Sequence, residues 1–364
     1  MADEKKILIV DDSALIRRLL GTAIGEDAGL QVAYAAPNAE LALKYLAANT
    51  VDLVLLDVEM PDMDGIEAVT RIRRSWPALP VLMCSSLTER GADVTIRALQ
   101  RGASDYIAKP SASFPLPEFK QTLLQKIHDL LPTRSAEPER LLVAPRPTTS
   151  KVTLRSAARP VTALAIGCST GGPNALGLLF SALRRPLGVP LFIVQHMPKL
   201  FTRLLAERLA SESGLRVKEG EHDETVDAET VYLAPGGLHM TVARQGVHVR
   251  IQLNEDPPEQ SCRPAVDVLF RGLARVYGDG VVAAVLTGMG RDGTDGARHL
   301  HEAGSRVLVQ DAASCVVASM PSSVADAGWA DSVLTVPEIA DAFLRFSGAG
   351  SGIGALLGGF GAMR

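Results

Sequence analysis

The sequence contains 364 residues, of which 47% are hydrophobic and 21% charged, with 37 lysines and arginines against 41 aspartates and glutamates. At about 150 residues per domain, this length favours two domains, each long enough to bury a core without metal or disulfide support. The formal net charge of −4 leaves no basic field for a phosphate backbone, so we do not expect nucleic-acid binding.

The cysteines and the N-terminal residues indicate the cellular compartment in which the protein is expected. Cys84, Cys168, Cys262 and Cys315 are scattered without a CxxC pair, so neither a zinc site nor a disulfide framework is expected. The N-terminus is charged and runs directly into a short apolar segment, which does not fit a signal peptide. Because no apolar run approaches the ~20 residues that span a bilayer, we expect a cytoplasmic protein without membrane insertion.

The first third of the chain, residues 1–131, alternates apolar runs with stretches of helical spacing. Strand-like runs occupy residues 7–10, 53–56, 81–84 and 105–107. Helix-like stretches occupy residues 15–20, 39–47, 66–74 and 118–131. Strands that alternate with helices are joined by parallel crossovers, so we predict a doubly wound α/β domain.

Two segments have the composition of connecting or terminal chain. Five prolines between Pro132 and Pro160 exclude long helices and strands there, and basic residues outnumber acids. This composition is typical of an exposed, semi-stiff linker over residues 132–160, and a basic docking segment is the less favoured alternative. Residues 348–364 are rich in glycine and alanine and are predicted to form a flexible tail.

A second alternating unit covers residues 161–347. Nearly continuous apolar runs, as expected of strands buried on both faces, lie at residues 163–166, 191–195, 281–286 and 306–310. Further strand signals lie at 230–233 and at 240–242 with 247–251, the last two as a hairpin around 244–246. With a final helix over 337–346, this predicts a mostly parallel α/β hydrolase-type sheet with an added β-hairpin.

Polar side chains in the first domain follow the predicted strands. Asp11 and Asp12 come after the run at residues 7–10, Asp57 follows the run at 53–56, Ser85 stands at the end of the run at 81–84, and Lys109 comes after the run at 105–107. The carboxyl ends of parallel strands form a ligand crevice, where clustered carboxylates favour a hard cation such as Mg²⁺. A nearby lysine can bind a phosphoryl oxygen. The alternative is that the acids only cap helices.

These residues carry a family resemblance. Asp11-Asp12, the segment LLDVEMPDMDG, Ser85 and Lys109-Pro110 together resemble the two-component receiver domain, which has a flavodoxin-like (βα)5 fold. The resemblance implies that Asp57 accepts a phosphoryl group from a histidine kinase and that Ser85 and Lys109 contact the phosphoryl oxygens. It also implies that Mg²⁺ is held by Asp12, Asp57 and the backbone carbonyl of Glu59, with Asp11 assisting.

A Gly-rich turn follows the first strand of the second unit. Residues 167–171, GCSTG, fit the G-x-S-x-G turn that lifts the hydroxyl of Ser169 above a sheet edge. A dinucleotide-binding loop is the alternative, but its acid after the next strand is absent and His196 stands there instead. Cys168 is a rival nucleophile whose side chain is expected to point into the turn.

A histidine and an aspartate complete this set. His196 follows the second strand of the unit, and His239 is its rival. Asp292 lies in a second Gly-rich turn, TGMGRDG, where the alternative is a helix N-cap. A serine needs a base to attack, a neutral imidazole can take its proton, and a buried carboxylate orients that imidazole. We therefore predict a Ser169–His196–Asp292 relay.

The motifs GCSTGGP, QHMP, APGG, SCRPAVDVLF and LTGMGRDG together resemble the catalytic domain of the chemotaxis protein-glutamate methylesterase family, CheB. That family joins such a domain to a receiver, so the resemblance covers nearly the whole chain. It implies a phosphorylation-activated hydrolase that removes methyl esters from chemoreceptor glutamates and deamidates some glutamines. Ser169 would be the nucleophile, His196 the base and Asp292 its orienter. The backbone N–H of Met289 is the candidate oxyanion donor, and Thr170 would help to position His196.

Other functions remain as alternatives to this prediction. The same parts could serve a signalling pathway other than taxis, or the second unit could be a non-catalytic signalling scaffold. A transcriptional response regulator is disfavoured, because the second half offers no helix-turn-helix pattern and no basic face.

Overall fold

A computed structural model describes residues 4–86, 88–111, 115–131 and 160–348 of the chain. The chain divides into two compact units, Met1–Thr148 and Thr149–Arg364. Apart from Pro160 and Gly348, the predicted linker and the predicted tail lie outside the described residues.

The first unit alternates strands and helices throughout. In chain order its elements are β1 Lys5–Val10, α1 Ala14–Gly25, β2 Leu30–Ala36, α2 Ala39–Ala48, β3 Leu53–Asp57, α3 Gly65–Ser75, β4 Val81–Ser85, α4 Glu89–Gln100, β5 Asp105–Ala108 and α5 Leu116–Leu130. The strands form a five-stranded sheet in the order β2-β1-β3-β4-β5 in which every neighbouring pair is parallel. The predicted flavodoxin-like fold is confirmed.

Helix capping in this unit leaves the acids after β1 available for another role. The N-cap of α1 is Ser13, whose side chain accepts from the backbone N–H of Ile16. Asp11 and Asp12 precede that cap, so the N-cap alternative for these two acids is wrong. Asn38, Asp64 and Thr88 cap α2, α3 and α4 in the same way.

The second unit has the elements of the predicted hydrolase-type domain. In chain order they are β6 Ala163–Cys168, α6 Gly172–Ala182, β7 Leu191–Gln195, α7 Lys199–Ser213, β8 Arg216–Glu219, β9 Thr230–Leu233, β10 His239–Gln245, β11 His248–Asn254, α8 Val266–Tyr277, β12 Val281–Val285, α9 Thr294–Glu302, β13 Arg306–Gln310, α10 Ser319–Asp326, β14 Ser332–Leu334 and α11 Val336–Phe346. A seven-stranded sheet has the order β14-β13-β12-β6-β7-β9-β8, with parallel neighbours. β10 and β11 form the added antiparallel hairpin.

Packing brings α8 close to the central strand of this sheet. A side chain at Gly167, in β6, would collide with the methyl groups of Val266 in the first turn of α8. Val266, Leu269 and Phe270 belong to the same buried cluster as Met240 of the hairpin. The first N–H groups of α8 are thereby held beside the carboxyl end of β6, where the candidate site lies.

Three strands, β2, β8 and β14, are not among the predicted ones. Each is an edge strand of its sheet and is partly exposed. A partly exposed strand is not covered on both faces, so it does not need the continuous apolar run by which the buried strands are recognised. The hairpin turn also lies one residue later than predicted, because Gln245 pairs with His248 and leaves Gly246, with φ +61°, and Val247 as the turn.

Candidate active site

In the first unit, three strand ends bring two buried acids and a lysine together. Asp11 follows β1, Asp57 ends β3 and Lys109 follows β5. Lys109 Nζ lies 2.9 Å from Asp11 Oδ2 and 2.8 Å from Asp57 Oδ1. One ammonium group therefore forms ion pairs with two buried carboxylates, since the exposed fraction is 0% for Asp11 and 3% for Asp57.

The charge in this cluster is not balanced by Lys109 alone. Carboxylate oxygens of Asp11, Asp12 and Asp57 lie within 4.8 Å of one another, and Asp12 is exposed at the edge. Burial raises the pKa of Asp57 to about 6, while Lys109 lowers it and Asp11 adds to the rise. Burial lowers the pKa of Lys109, but Asp57 and Asp11 raise it above its usual value. Hard, anionic oxygen ligands with excess negative charge fit a divalent cation such as Mg²⁺.

The other residues predicted for this site lie around the cluster. The backbone N–H of Glu59 lies 3.4 Å from Asp57 Oδ1, which places this residue beside the acids. The hydroxyl of Ser85 is buried and accepts from the hydroxyl of Thr95, on α4, at 2.7 Å. Thr95 is a contact that sequence reasoning missed, since its only signal is a polar residue on the buried face of a helix.

In the second unit, Ser169 and His196 follow two neighbouring strands. Cys168 and Gln195 are partners in the register of β6 and β7, and the backbone N–H of His196 donates to the carbonyl of Cys168 at 3.2 Å. The turn after Ser169 needs glycine at residue 171, whose φ is +77°. Neighbouring strands lie ~4.8 Å apart, so Ser169 and His196 are adjacent at the sheet edge.

Asp292 reaches the same edge from the loop before α9. Its Oδ2 lies 2.8 Å from His196 Nε2, and its side chain accepts backbone N–H groups of Val266, Asp267 and Gly293 at 2.6, 2.9 and 2.9 Å. Gly293, rather than Asp292, occupies the N-cap position of α9. The N-cap alternative for Asp292 is therefore wrong, because its carboxylate receives the first N–H groups of the neighbouring helix α8.

The contact between His196 and Asp292 shifts the pKa values of both groups. Burial would raise the pKa of Asp292, but the His196 hydrogen bond and the backbone N–H groups hold it below its usual value. Burial disfavours a charged His196, yet hydrogen bonds to Asp292 and Cys262 raise its pKa above the ordinary value. An ionised Asp292 can only accept, so His196 Nε2 carries the hydrogen and donates it.

The second ring nitrogen of His196 faces a cysteine. Cys262 Sγ lies 3.5 Å from His196 Nδ1. Over residues 160–348 the structure contains no hydrogen bond between the hydroxyl of Ser169 and the His196 ring. The structure thus joins His196 to Asp292 and Cys262, and it places Ser169 next to His196 without joining their side chains. Sequence reasoning assigned no role to Cys262, which it names only among the scattered cysteines and within the motif SCRPAVDVLF.

The loop after β12 packs directly on the serine turn. A Cβ at Gly288 would lie 2.9 Å from Ser169 Cβ, and Ser169 N–H donates to the carbonyl of Thr287 at 3.1 Å. The Thr287 hydroxyl donates to the carbonyl of Thr170 at 2.9 Å. Among the described residues, the backbone N–H of Met289 has no hydrogen-bond partner, so it is free to bind an anionic oxygen.

Asp267 is a second buried carboxyl behind Asp292. Its Oδ1 accepts the backbone N–H groups of Gly293 and Gly296 at 3.0 and 2.6 Å, which ties the loop of Asp292 to α8. Burial and the charge of Asp292 raise the pKa of Asp267 to about 7. Asp267 lies in the motif SCRPAVDVLF, but nothing in that pattern distinguishes a buried acid from a solvated one.

The two rival residues have structural partners. Cys168 is fully buried, its Sγ donates to Gln195 Oε1 at 3.1 Å, and burial raises the pKa of its thiol. The ring of His239 is buried between the carbonyl of Pro257 and the backbone N–H of Ala265, at 3.1 and 3.2 Å. Neither group faces the crevice as a reactive side chain.

Comparison with known proteins assigns each unit to the family that its motifs resemble. Residues 7–118 match the response regulator receiver domain, and residues 164–343 match the family described as CheB methylesterase. A protein of Trichodesmium erythraeum named protein-glutamate methylesterase/protein-glutamine glutaminase is 41% identical over 93% of this chain and 98% of its own. The chain belongs to the CheB methylesterase family.

A second relative agrees with this membership. A protein of Nocardioides sp. with the same name is 44% identical over 93% of this chain and 94% of its own. The crystal structure of the Thermotoga maritima CheB methylesterase catalytic domain is 39% identical, with a TM-score of 0.49, and the match covers 51% of this chain and 99% of that one. The predicted CheB family, with its receiver domain and methylesterase class, is confirmed.

Within the described residues, no helix has the length and hydrophobicity needed to cross a membrane.

Proposed function

We propose that this protein is a phosphorylation-activated serine esterase of the cytoplasm, which hydrolyses glutamate methyl esters on chemoreceptors and deamidates some glutamines. Residues 1–131 would be the receiver and residues 161–347 the catalytic domain. The observation that carries the proposal is the 2.8 Å hydrogen bond between His196 and Asp292 at the strand end next to Ser169. The relatives named protein-glutamate methylesterase/protein-glutamine glutaminase support the substrate class.

The contacts of His196 determine which atom acts as the base. Nε2–H is committed to Asp292, so Nδ1 is the nitrogen that can take the proton of the Ser169 hydroxyl. Ser169 Oγ then attacks the ester carbonyl carbon, and Asp292 stabilises the imidazolium that forms. His196 returns the proton to the departing methoxide, and methanol leaves. Water hydrolyses the acyl-enzyme by the same route, and for a glutamine substrate the leaving group is ammonia.

The loop after β12 would stabilise the tetrahedral intermediate. The N–H of Met289 is unpaired among the described residues, and its neighbour Gly288 packs against Ser169. Donors of this kind are typically worth ~10²–10³ in kcat. Thr170 would act through the loop contact with Thr287 rather than as a reacting group.

Phosphorylation of Asp57 by a histidine kinase would raise the esterase rate. Mg²⁺, held by Asp12, Asp57 and the Glu59 carbonyl with Asp11 assisting, would neutralise the transferring phosphoryl group. Lys109 would bind a phosphoryl oxygen, and Ser85 would leave Thr95 to bind another, which connects the phosphoryl group to α4. A coupling of ~1–3 kcal/mol corresponds to roughly 5–150-fold activation.

Methanol release from methylated receptor membranes tests the esterase. Ser169→Ala should abolish release, whereas Cys168→Ala, the matched change one residue earlier, should retain it. An active Ser169→Ala protein would refute the nucleophile assignment. A scaffold without catalysis predicts no release from any variant and no labelling of Ser169 by a serine-directed phosphonate.

Activation by phosphorylation of Asp57 has a separate test. A small phosphodonor should increase methanol release by the wild-type protein, whereas Asp57→Ala should keep its basal rate and show no increase. Activation that persists in Asp57→Ala would rule out this aspartate as the control point. Release from a receptor array, compared with release from other methylated membrane proteins, distinguishes a taxis pathway from another signalling pathway.

A further inference from the structure

Both nitrogens of the His196 ring have partners, and neither partner is Ser169. Nε2 lies 2.8 Å from Asp292 Oδ2, and Nδ1 lies 3.5 Å from Cys262 Sγ. In the neutral ring, whose hydrogen is on Nε2, Nδ1 offers a single lone pair, which can accept from only one good donor at a time. The thiol thus occupies the atom that the proposed reaction assigns to the serine hydroxyl.

The loop that presents Cys262 is well anchored. Glu259 and Cys262 exchange backbone hydrogen bonds at 3.1 and 2.8 Å across a tight turn. The two residues between them, Gln260 and Ser261, have φ values of +49° and +62°, which residues other than glycine rarely adopt. Arg263 donates to the carbonyls of the same loop, at Glu255 and Asp256. The position of the thiol is therefore part of the fold.

We propose that Cys262 is a positioning residue that competes with Ser169 for Nδ1 of His196 and so keeps the resting esterase below its full rate. This inference rests on the proposed roles of Ser169 and His196. A thiol is a weaker donor than a hydroxyl, so the serine can displace it when substrate enters, and the restraint on the rate is small.

Three variants test the competition through the rate of phosphonate labelling of Ser169 and through methanol release. Cys262→Ala frees Nδ1 and should raise both rates by about 2- to 10-fold, the effect of one ordinary hydrogen bond. Cys262→Ser supplies a stronger donor and should lower both rates below wild type. Cys315→Ser, which changes another partly exposed thiol without an imidazole partner, should leave them unchanged. If serine instead restores a rate that alanine loses, the thiol supports the ring and the proposal is wrong.

A ¹⁵N NMR spectrum of the His196 ring, in a Ser169→Ala background, supplies a readout that needs no ester hydrolysis. Cys262→Ala should shift the Nδ1 resonance, because that nitrogen loses its hydrogen-bond donor, and an unchanged resonance would overturn the inference. If the resonance shifts but no variant releases methanol, the proposed function fails while the thiol contact stands. If methanol is released but the order of the variants is reversed, the inference fails while the proposed function stands. Thermal unfolding of each variant verifies that it is folded.

Discussion

In the first unit Lys109 lies between two buried carboxylates, whereas in the second unit one buried carboxylate, Asp292, lies between an imidazole and three backbone N–H groups. Both arrangements occupy the carboxyl ends of parallel strands, where doubly wound sheets bind ligands. The first has more negative charge than its own cation can balance. The second has every acceptor of its acid satisfied from within the chain.

This difference matches the two kinds of chemistry proposed. A site with excess negative charge is completed by a group from outside, here a divalent cation and then a phosphoryl group. A site with a satisfied acid moves a proton between its own side chains and needs no external charge. Substitutions should therefore have different consequences at the two sites, and the following experiments start with the largest expected effect.

Asp292→Asn is expected to lower kcat by about 10⁴, because an amide can no longer both hold the Nε2–H of His196 and stabilise its positive charge. Asp295→Asn is the matched control, since Asp295 lies three residues later but forms exposed ion pairs. Steady-state methanol release measures both variants. A loss at Asp292 of less than tenfold would show that the carboxylate is not part of the relay.

Asp57→Asn should remove the roughly 5–150-fold response to a small phosphodonor and leave basal methanol release unchanged. Asp93→Asn, a change at an exposed acid of α4 in the same unit, should respond like the wild-type protein. The comparison of rates with and without phosphodonor is the measurement. A response retained by Asp57→Asn would contradict the proposal that phosphorylation at the first site controls ester hydrolysis at the second.

The stability of the first unit should depend on pH through Asp57. Its pKa is raised from 3.8 to about 6 in the folded protein, so its contribution to stability is fully present below pH 3.8 and is lost as pH rises through about 6. The loss is on the order of 2 kcal/mol after allowance for solvent screening. Asp57→Asn should abolish this loss, and Mg²⁺ should reverse it in the wild-type protein at pH 7.

Thermal unfolding across pH 4–7, with Mg²⁺ and with a chelator, checks this expectation. Asp292 serves as the internal contrast, because its pKa is lowered in the folded protein and its contribution to stability is lost as pH falls. If Mg²⁺ stabilised the Asp57→Asn protein as strongly as the wild type, the acid cluster would not be its binding site.

Thr95→Val should have the smallest effect, about 1 kcal/mol of unfolding free energy, because it keeps the shape of the side chain but removes a buried hydroxyl that contacts Ser85 and the carbonyl of Gly91 in its own helix. It should also change the size of the phosphodonor response, since Ser85 then has no hydrogen bond to Thr95 of α4 before phosphorylation. Thr70→Val, on the adjacent helix α3, removes a hydroxyl that bonds only its own helix and is the control. An identical response in the wild type and Thr95→Val would exclude Ser85 and Thr95 from the switch.

The central strands and the residues that follow them were predictable, because a strand buried on both faces needs a continuous apolar run and a crevice residue comes directly after it. Asp57, Ser169 and His196 were found in this way, and so was Lys109, which follows an edge strand, β5, that is buried throughout. The edge strand β8 was missed for the same reason, because its sequence RVKE has no such run. The role of Asp292 as an acceptor for α8 required knowledge of which helix packs beside it.

Local motifs and the periodicity of apolar residues were enough to specify the two domain types, the family and the candidate reactive residues. Tertiary structure alone decided the partners of those residues: Thr95 for Ser85, the N–H groups of α8 for Asp292, and Cys262 for the second nitrogen of His196. The physical reason is that a hydrogen bond depends on distances of a few tenths of an ångström. Packing of elements far apart in the chain sets those distances, as Gly167 does by letting α8 lie against β6.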